Sequence, residues 1–399
     1  MSRRIRVAFV QQDARIGGAE VNLLALVRRM DRRRFDPLVF CAETGPLLDA
    51  LGAASCPVRR VRFPRLLSVS ARPLGVKLLN PFACMWDVWA LAAAGATLSG
   101  AFQQEGIGLA YTNGMFSHLY GAMAAARARV PCVWHLQDIV SPHRAGGSFH
   151  RALRLAALRY RPVVMAISSP VAAVLDGTGV PVELVPNGTQ LLGNDTSGAR
   201  ARVRGDLGIP PEAPVAAVVG RLTPWKGQDV FLKAAALTLS SCPDARFLVV
   251  GAARGQDQKY LKALRSSAAS LGIEPSVIFT GFYPDPVEIM RAIDLLVLPS
   301  RDPEPFGLVV IEAMAAGRPV IAAAHGGVLE VVKDGQTGLL VPPNDVPALA
   351  SAMSTLFADP QTAAAMGARG AKVVQERYSL DRFIGAVESV FEKALMPAR

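Results

Sequence analysis

The sequence is poor in the features that define several protein classes. Its five cysteines are odd in number, scattered and never in a Cys-x-x-Cys pair, so we expect neither a disulfide framework nor a zinc site. Charged residues make up only 19% against 51% hydrophobic residues, which excludes a disordered or coiled-coil chain. The uncharged apolar stretch most worth testing as a membrane span lies between Asp87 and Glu105 and has 17 residues. A membrane span needs roughly 20 strongly apolar residues, so we expect a buried helix there.

Several signature motifs of nucleotide-binding and hydrolytic sites are also missing. The sequence has no Gly-x-x-x-x-Gly-Lys-Ser/Thr loop, no Gly-x-Gly-x-x-Gly after a predicted strand, no Gly-x-Ser-x-Gly and no His-Glu-x-x-His. These absences argue against P-loop nucleotidases, serine hydrolases and zinc peptidases. An Asp-x-Asp metal pair is absent too, and Asp302-Pro303-Glu304 is only a near relative of it. We therefore expect no metal site.

The excess of positive charge lies entirely in the first half. Residues 1–190 contain 22 Arg and Lys against 11 Asp and Glu, whereas residues 191–399 contain 21 of each. Three explanations are open: an anionic membrane surface, nucleic acid, or an Arg-rich surface that simply faces water. The clustered residues are Arg28, Arg29, Arg32, Arg33, Arg34, Arg59, Arg60, Arg62, Arg65, Arg151, Arg154, Arg159 and Arg161.

Short apolar runs alternate with helical patterns in two successive series, which is typical of parallel sheets covered by helices. A polar, glycine-rich linker is predicted at 192–198, and a last helix at 380–395. Open α/β sheets bind ligands at the carboxyl ends of their strands, so each half should direct loops into one shared cleft. The predicted strands are 5–10, 37–41, 109–111, 130–134, 163–167, 182–185, 214–219, 247–250, 277–280, 294–299, 319–323 and 338–341.

The first candidate site follows the strand predicted at 214–219. The segment 220–227 reads Gly-Arg-Leu-Thr-Pro-Trp-Lys-Gly, which places Arg221 and Lys226 at the carboxyl end of that strand. A planar guanidinium and a flexible ammonium in this position can bind a diphosphate. A pair of solvated surface charges is the alternative interpretation.

The second candidate site follows the strand predicted at 294–299. A helix predicted over 306–316 would leave the backbone amides of Phe306, Gly307 and Leu308 free at its N-terminus, where they can bind an anion. Glu304 and Glu312 would lie about 12 Å apart in a continuous helix. That separation is too large for two carboxylates acting on one bond, but it suits the two ends of an extended ligand. The alternative is an ordinary amphipathic helix with two solvated glutamates.

The first half contributes two weaker candidates. His135 follows the strand predicted at 130–134, so we expect it to face the cleft, where histidine can donate to sugar hydroxyls. Gly17 and Gly18 lie at the predicted start of the first helix, another position that can bind a phosphate or an acceptor.

Together these segments resemble glycosyltransferase family 4. The similarity rests on Gly220-Arg221…Lys226-Gly227, on Glu304 to Glu312 with the following Ala-Met-Ala-Ala-Gly-Arg-Pro-Val, and on His325-Gly326-Gly327…Glu330. Gly17-Gly18-Ala19-Glu20 and Pro186-Asn187-Gly188 are similar to the family as well. The resemblance covers nearly the whole chain and is weakest from about 40 to 110.

The resemblance implies a GT-B fold, with two Rossmann-like, doubly wound α/β domains facing an interdomain cleft. The acceptor-side domain would span 1–190, the nucleotide-sugar donor-binding domain 191–375, and a C-terminal helix at 376–399 would pack back on the first domain. The implied catalytic set is His135 near the anomeric centre, Arg221 and Lys226 on the diphosphate, and Glu304 on the donor sugar. The implied donor-binding set is Gly17, Gly18, Phe306, Gly307, Leu308 and, on the ribose, Glu312.

The activity implied by the family is retaining transfer of a sugar from a nucleotide-diphosphate donor to an acceptor hydroxyl, without an essential metal or any other cofactor. We expect a lipid-linked or saccharide acceptor in cell-surface polysaccharide or glycolipid biosynthesis. We further expect a cytoplasmic chain whose basic half contacts an anionic membrane, and no nucleic-acid partner. The alternatives are a sugar-nucleotide epimerase or a phosphorylase on the same fold, and a non-enzymatic protein that binds polyanions.

Overall fold

The computed structural model describes residues 4–12, 14–62, 81–140, 147–192, 197–253, 255–283 and 286–396. The chain divides into two compact units. Unit 1 comprises Met1–Pro186 together with Phe383–Arg399, and unit 2 comprises Asn187–Arg382. Each unit is built around one parallel sheet.

In the described part of unit 1, seven parallel strands form a sheet in the order β3-β2-β1-β4-β5-β6-β7. The chain starts in the middle of the sheet, moves to one edge, and then crosses over to fill the other side, which is the doubly wound topology. The strands are β1 Ile5–Gln11, β2 Phe35–Cys41, β3 Val58–Arg60, β4 Leu109–Thr112, β5 Cys132–Leu136, β6 Val163–Ala166 and β7 Val182–Leu184. The helices are α1 Gly18–Arg29, α2 Pro46–Ala53, α3 Pro81–Gln104, α4 Met115–Ala128, α5 Ser148–Tyr160 and α6 Ser169–Ala172.

In the described part of unit 2, six parallel strands have the order β10-β9-β8-β11-β12-β13, again doubly wound. Its strands are β8 Val215–Val219, β9 Arg246–Val250, β10 Val277–Gly281, β11 Leu295–Leu298, β12 Val320–Ala323 and β13 Gly338–Val341. Its helices are α7 Ser197–Asp206, α8 Gln228–Thr238, α9 Gln258–Ser270, α10 Pro286–Ala292, α11 Leu308–Ala315, α12 Val328–Val331, α13 Val346–Ala358 and α14 Pro360–Arg377. The last helix, α15 Leu380–Leu395, has the predicted bounds.

Burial on both faces explains why the central strands are continuously apolar. Val7, Ala8, Phe9 and Val10 of β1 are fully buried, because helices cover both sides of a doubly wound parallel sheet. The same pattern made these strands visible in the sequence.

The short strand β3 was missed because its three residues, Val-Arg-Arg, show no apolar run. The predicted linker at 192–198 is corrected in part, because Ser197 already begins α7. Its residues 193–196, like Arg65 of the basic clusters, lie outside the described residues.

The helix α3 begins at Pro81, before the stretch between Asp87 and Glu105 that was predicted to be buried, and it is exposed at its start. The second half of α3 packs as expected, with Ala94, Leu98 and Phe102 buried against α4. In the first half Trp86 and Trp89 keep 42% and 55% of their surface in contact with solvent. Among the described helices, none combines the length and the apolar character needed to cross a membrane.

The helix α15 packs on unit 1 from Phe383 onward. Val387, Val390 and Phe391 are fully buried. The Phe391 ring lies 5.5 Å from Phe35 and 5.7 Å from Tyr111, in edge-to-face geometry. The helix is further held by its Glu388 carboxylate, which accepts a hydrogen bond of 2.7 Å from the Asp31 amide.

Candidate active site

Unit 2 has a topological switch point between β8 and β11. These strands are neighbours in the sheet, but the chain leaving β8 crosses to β9, whereas the chain leaving β11 crosses to β12 on the other side. The two connections diverge at the carboxyl edge and leave a crevice, which is where open α/β sheets bind ligands. The segments that follow the two strands are 220–227 and 299–307, the two segments singled out in the sequence.

Lys226 and Glu304 meet in this crevice. The Lys226 Nζ atom lies 2.7 Å from Glu304 Oε1, and the Ser300 hydroxyl donates to the same oxygen. Glu304 is only 3% exposed, so the ion pair and the hydroxyl compensate for the hydration that its carboxylate has lost. An ammonium group has three donors, so Lys226 can bind a second anion while it holds Glu304.

The Lys226 side chain is held in place by its neighbours. Its Nζ atom lies 4.3 Å from the centroid of the Trp225 ring, within the range of a cation–π contact. Residues Pro224–Lys226 form a single 3-10 turn that places the lysine directly before α8. The cation is therefore oriented before any ligand arrives.

Arg221 begins the same segment and is exposed. Its carbonyl accepts a hydrogen bond of 3.0 Å from Gln228 Nε2, which ties the start of the segment to α8. Between Arg221 and Lys226, Thr223 is buried, and its hydroxyl has no hydrogen-bond partner among the described residues. Segment 220–227 thus offers a guanidinium, an ammonium and a spare hydroxyl.

The helix α11 begins at Leu308, two residues later than predicted, because Gly307 has φ = 89° and ends the preceding loop in the left-handed region. Only glycine takes this conformation without strain. The amides of Phe306, Gly307 and Leu308 lie at or just before the helix start, where backbone donors have no intrahelical acceptor. Phe306 itself is buried and packs edge-to-face on Tyr378, with ring centroids 5.8 Å apart.

The premise of a continuous helix from Glu304 to Glu312 is wrong. Glu304 forms an isolated parallel bridge with Gly326, so it lies in a loop, whereas Glu312 is half-buried within α11. The two carboxylates are therefore held by different elements. Glu304 belongs to the crevice, and Glu312 lies one helical turn beyond the N-terminus of α11.

A third segment, which carries His325 and Gly327 after β12, makes hydrogen bonds to the segment after β11. The Gly327 amide donates to the Glu304 carbonyl at 2.7 Å, and His325 Nε2 lies 2.8 Å from the Ser300 carbonyl. Both contacts brace the loop that carries Glu304. The order β8-β11-β12 in the sheet explains why these three segments meet.

His135 of unit 1 is corrected, because the structure does not place it at a strand end. The strand β5 runs from Cys132 to Leu136, two residues later than predicted, so His135 is inside the strand and fully buried. Desolvation lowers the pKa of its imidazole to about 3. Its Nδ1 atom lies 2.5 Å from the Tyr111 hydroxyl. The ring has no exposed surface in this structure, and its Nε2 atom has no hydrogen-bond partner among the described residues.

The first residue after β5 is instead Gln137. Its side-chain amide donates to Asn113 Oδ1 at 2.5 Å, and Asn113 in turn follows β4. Since β1 and β4 flank the switch point of unit 1, these amides lie at the edge where that unit would bind a ligand. Sequence reasoning missed both residues. A strand predicted to end at Leu136 instead of Trp134 would have placed Gln137 directly after it.

Gly17 and Gly18 are exposed at the start of α1, also after β1. The Gly17 amide donates to Glu20 Oε2 at 3.0 Å, which satisfies one helix N-terminal donor. The structure therefore shows these glycines at an accessible helix start, and their contact with a ligand stays a prediction.

Comparison with known proteins matches each half of the chain to a family model. A family model described as glycosyl transferases group 1 matches residues 199–373, and one described as Glycosyltransferase Family 4 matches residues 16–191. The chain belongs to glycosyltransferase family 4.

Curated relatives match about half of this family-4 chain. A D-inositol 3-phosphate glycosyltransferase of Nocardia farcinica is 41% identical over 192 residues, which are 47% of this chain and 42% of the relative. A GDP-mannose-dependent alpha-(1-6)-phosphatidylinositol monomannoside mannosyltransferase of Mycolicibacterium smegmatis is 38% identical over 180 residues, 43% of this chain and 46% of the relative. The chain thus spans less than half the length of these two relatives.

Solved structures match over the whole length. Anabaena HepE in complex with UDP-glucose is 28% identical, with a TM-score of 0.82 over 98% of this chain and 100% of that chain. A Rickettsia africae glycosyltransferase reaches the same TM-score at 17% identity, which shows the shared GT-B fold only. The observed pair of doubly wound sheets therefore agrees with the fold implied by the family 4 motifs.

Metal independence stays a prediction for this family-4 chain. Within the described residues no cluster of three or more His, Cys, Asp or Glu side chains has a geometry that could hold a metal ion. Asp302 and Glu304, the near relative of a metal pair, belong to a loop in which Glu304 already binds Lys226.

Proposed function

We propose that this chain is a retaining glycosyltransferase that moves a sugar from a nucleotide-diphosphate donor to an acceptor hydroxyl. The observation that carries the proposal is the pairing of Lys226 with the buried Glu304, at a switch point and beside the start of α11. The proposal brings the Lys226 cation, the Arg221 guanidinium and the amides at the start of α11 together around one crevice. That combination suits a diphosphate with a sugar attached.

Each residue of the crevice receives a role. Arg221, Lys226 and the amides of Phe306, Gly307 and Leu308 bind the diphosphate. Glu312 binds the ribose hydroxyls and Glu304 the donor sugar. Gly17 and Gly18 lie at the start of α1 in unit 1, and their contact with a ligand stays a prediction. The role implied for His135 near the anomeric centre stays a prediction, because its ring is fully buried in this structure.

The reaction is a same-face displacement. The bond between the anomeric carbon and the diphosphate oxygen breaks first, and the negative charge that develops on the leaving diphosphate is stabilised by Arg221, Lys226 and the helix amides. The acceptor oxygen then attacks from the same face and transfers its proton to the departing phosphate oxygen. Electrostatic stabilisation of the leaving group is the largest contribution, and no metal takes part.

The donor is a uridine-diphosphate sugar. This choice is supported by the HepE complex with UDP-glucose, whose chain matches the present one throughout its length. A thermal-shift screen of UDP, GDP and ADP tests it. A stabilisation by UDP that exceeds those by GDP and ADP is expected, and preference for another nucleotide would overturn the assignment.

The acceptor is carried on a lipid, so the chain works at a membrane surface in glycolipid or surface-polysaccharide biosynthesis. Two observations support this proposal. A relative that is 38% identical over its matched part is described as acting on a phosphatidylinositol mannoside, and the net excess of positive charge lies in the first half of the chain.

The decisive experiment replaces Lys226. Lys226→Ala should reduce kcat by about 10²-fold or more, because it removes one preorganised donor from the leaving group. Release of UDP and formation of glycosylated product are measured with and without acceptor. The matched control is Lys233→Ala, which removes an exposed lysine on α8 and should leave turnover unchanged.

Activity of Lys226→Ala within threefold of wild type would rule out its role. Conversion of the donor sugar in the absence of any acceptor would instead indicate an epimerase.

A further inference from the structure

The first half of α3 exposes a stripe of large apolar side chains. Phe82, Met85, Trp86 and Trp89 follow the i, i+3, i+4, i+7 spacing of one helix face, and their exposed fractions are 79%, 69%, 42% and 55%. The rings of Trp86 and Trp89 lie 4.8 Å apart. We call these four residues the aromatic stripe. Exposed apolar surface on this scale marks an interaction surface.

A second helix of unit 1 has a similar outward face. In α5 the exposed fractions of Leu155 and Leu158 are 66% and 48%, and Arg151 and Arg159 beside them are exposed too. Both α3 and α5 pack against α4. The three helices therefore lie side by side over one face of the sheet.

The charge of these three helices is almost entirely positive. Their only acidic residue is Asp87, whereas they carry the four arginines Arg127, Arg151, Arg154 and Arg159. Arg127 of α4 donates to the Ala92 carbonyl of α3 at 3.1 Å, so a cation lies within about one helical turn of Trp89. The excess charge of the first half thus meets the apolar surface here.

We propose that α3 and α5 form a docking surface for an anionic lipid bilayer. The aromatic stripe enters the interface between headgroups and acyl chains, where tryptophan is favoured, and the arginines pair with headgroup phosphates. Charge complementarity selects this partner, because a second copy of the same basic face would be repelled. This inference rests on the membrane contact proposed above and names the surface that makes it. It does not depend on the chemistry of sugar transfer.

The first test is flotation with lipid vesicles at about 0.15 M salt. The wild-type chain should partition onto vesicles of phosphatidylglycerol and phosphatidylcholine, and much less onto pure phosphatidylcholine. Trp86→Ser/Trp89→Ser should lower the partition coefficient by about tenfold or more. The matched control is Leu237→Ser/Leu271→Ser, which removes half-exposed leucines of unit 2 and should bind as wild type.

The second test addresses charge. Arg151→Gln/Arg159→Gln should weaken binding to anionic vesicles and flatten its dependence on salt, because two headgroup contacts are lost. Lys259→Gln/Lys262→Gln, which neutralises two exposed lysines on α9 of unit 2, is the control and should have no effect.

A third measurement reports how deeply the tryptophans of the aromatic stripe enter the bilayer. Brominated lipids should quench the fluorescence of Trp86 and Trp89 in the wild type, whereas the double Trp variant, with its buried Trp134 and with Trp225, should not be quenched. The proposal is overturned if the wild type ignores anionic vesicles or if the double Trp variant binds as well as wild type. A wild-type dimer that the Trp substitutions convert to monomer, without vesicle binding, would also overturn it in favour of a second copy.

These outcomes are separable from those of the active-site proposal. The surface variants should keep the thermal stabilisation by UDP, since they lie in unit 1 and outside the crevice. Lys226→Ala should lose much of that stabilisation and still bind anionic vesicles as wild type. If one proposal fails, the other can therefore still be tested.

Discussion

At the residue scale, the backbone at Gly227 approaches the segment after β11 closely. This approach lets the segment that carries Lys226 meet the segment that carries Glu304. This glycine follows Lys226 with φ = 71°, and a Cβ atom placed on it would lie 2.0 Å from the Pro299 carbonyl oxygen. The segment after β8 can therefore contact the segment after β11 only because position 227 has no side chain. Gly272, after α9, has a nearly identical φ of 69° but open space around it.

Substitution of these two glycines separates backbone strain from contact. Gly272→Ala should lower the free energy of unfolding by about 1–2 kcal/mol, the cost of a left-handed residue with a side chain. Gly227→Ala should cost more and also weaken UDP binding, because Pro299 and the Glu304 loop must move. Denaturant unfolding and UDP thermal shifts measure both effects. Equal losses in the two variants would show that the contact with Pro299 is unimportant.

At the scale of elements, α15 stabilises unit 1 although it comes from the far end of the chain. Its Phe391 is fully buried and completes an aromatic cluster with Phe9, Phe35 and Tyr111, at centroid distances of 5.5 to 6.3 Å. Such rings bury a large apolar area and add favourable edge-to-face contacts.

Removal of this ring should therefore destabilise unit 1. Phe391→Ala should lower its free energy of unfolding by about 3–5 kcal/mol, because the cavity cannot fully collapse. Phe82→Ala is the control, since this ring also lies in unit 1 and is 79% exposed, and its loss should change stability by no more than about 0.5 kcal/mol. Urea unfolding followed by tryptophan fluorescence in a Trp225→Phe background, in which the remaining tryptophans all lie in unit 1, reports on unit 1. A loss below about 1 kcal/mol for Phe391→Ala would contradict the packing role of α15.

At the scale of the whole molecule, the proposed diphosphate site and the proposed membrane surface lie in different units. The candidate diphosphate residues of the crevice lie in unit 2, and the aromatic stripe lies in unit 1. Each unit has its own sheet and its own buried core. The cleft expected between the two halves stays a prediction.

Nucleotide binding should accordingly stabilise unit 2 first. UDP at about 100 times its Kd should add about 2.7 kcal/mol to the free energy of unfolding of the unit that binds it. Calorimetry with Trp225 fluorescence as the reporter of unit 2, and Trp134 as that of unit 1, distinguishes the two. An equal shift of both reporters would contradict binding confined to unit 2.

Local pattern was sufficient for most elements and for the key segments. The apolar runs predicted twelve of the described strands within two residues at either end, because strands buried on both faces are apolar throughout. Both crevice segments were found from charge and glycine immediately after such runs. The family motifs then added roles that no local pattern supplies.

Strand register and side-chain exposure could not be predicted from local sequence pattern. His135 was placed at a strand end because the apolar run begins at Val130, but pairing of Ala110 with Cys132 and of Val133 with Val163 moves the strand onward and buries the ring. Burial was predicted for the whole apolar stretch between Asp87 and Glu105, yet Val88 and Trp89 at its start are 69% and 55% exposed. Only the position of α4 decides which half is covered.

The amino-acid sequence by itself determined two α/β halves with parallel sheets, a basic N-terminal half and the candidate residues for a diphosphate site, because periodicity, charge and turn chemistry act over a few residues. The tertiary structure alone decided that Lys226 binds the buried Glu304, 78 positions away, that His135 is inaccessible, and that a tryptophan pair faces outward. Those outcomes depend on strand order and on which surfaces pack together, and no stretch of sequence encodes them separately.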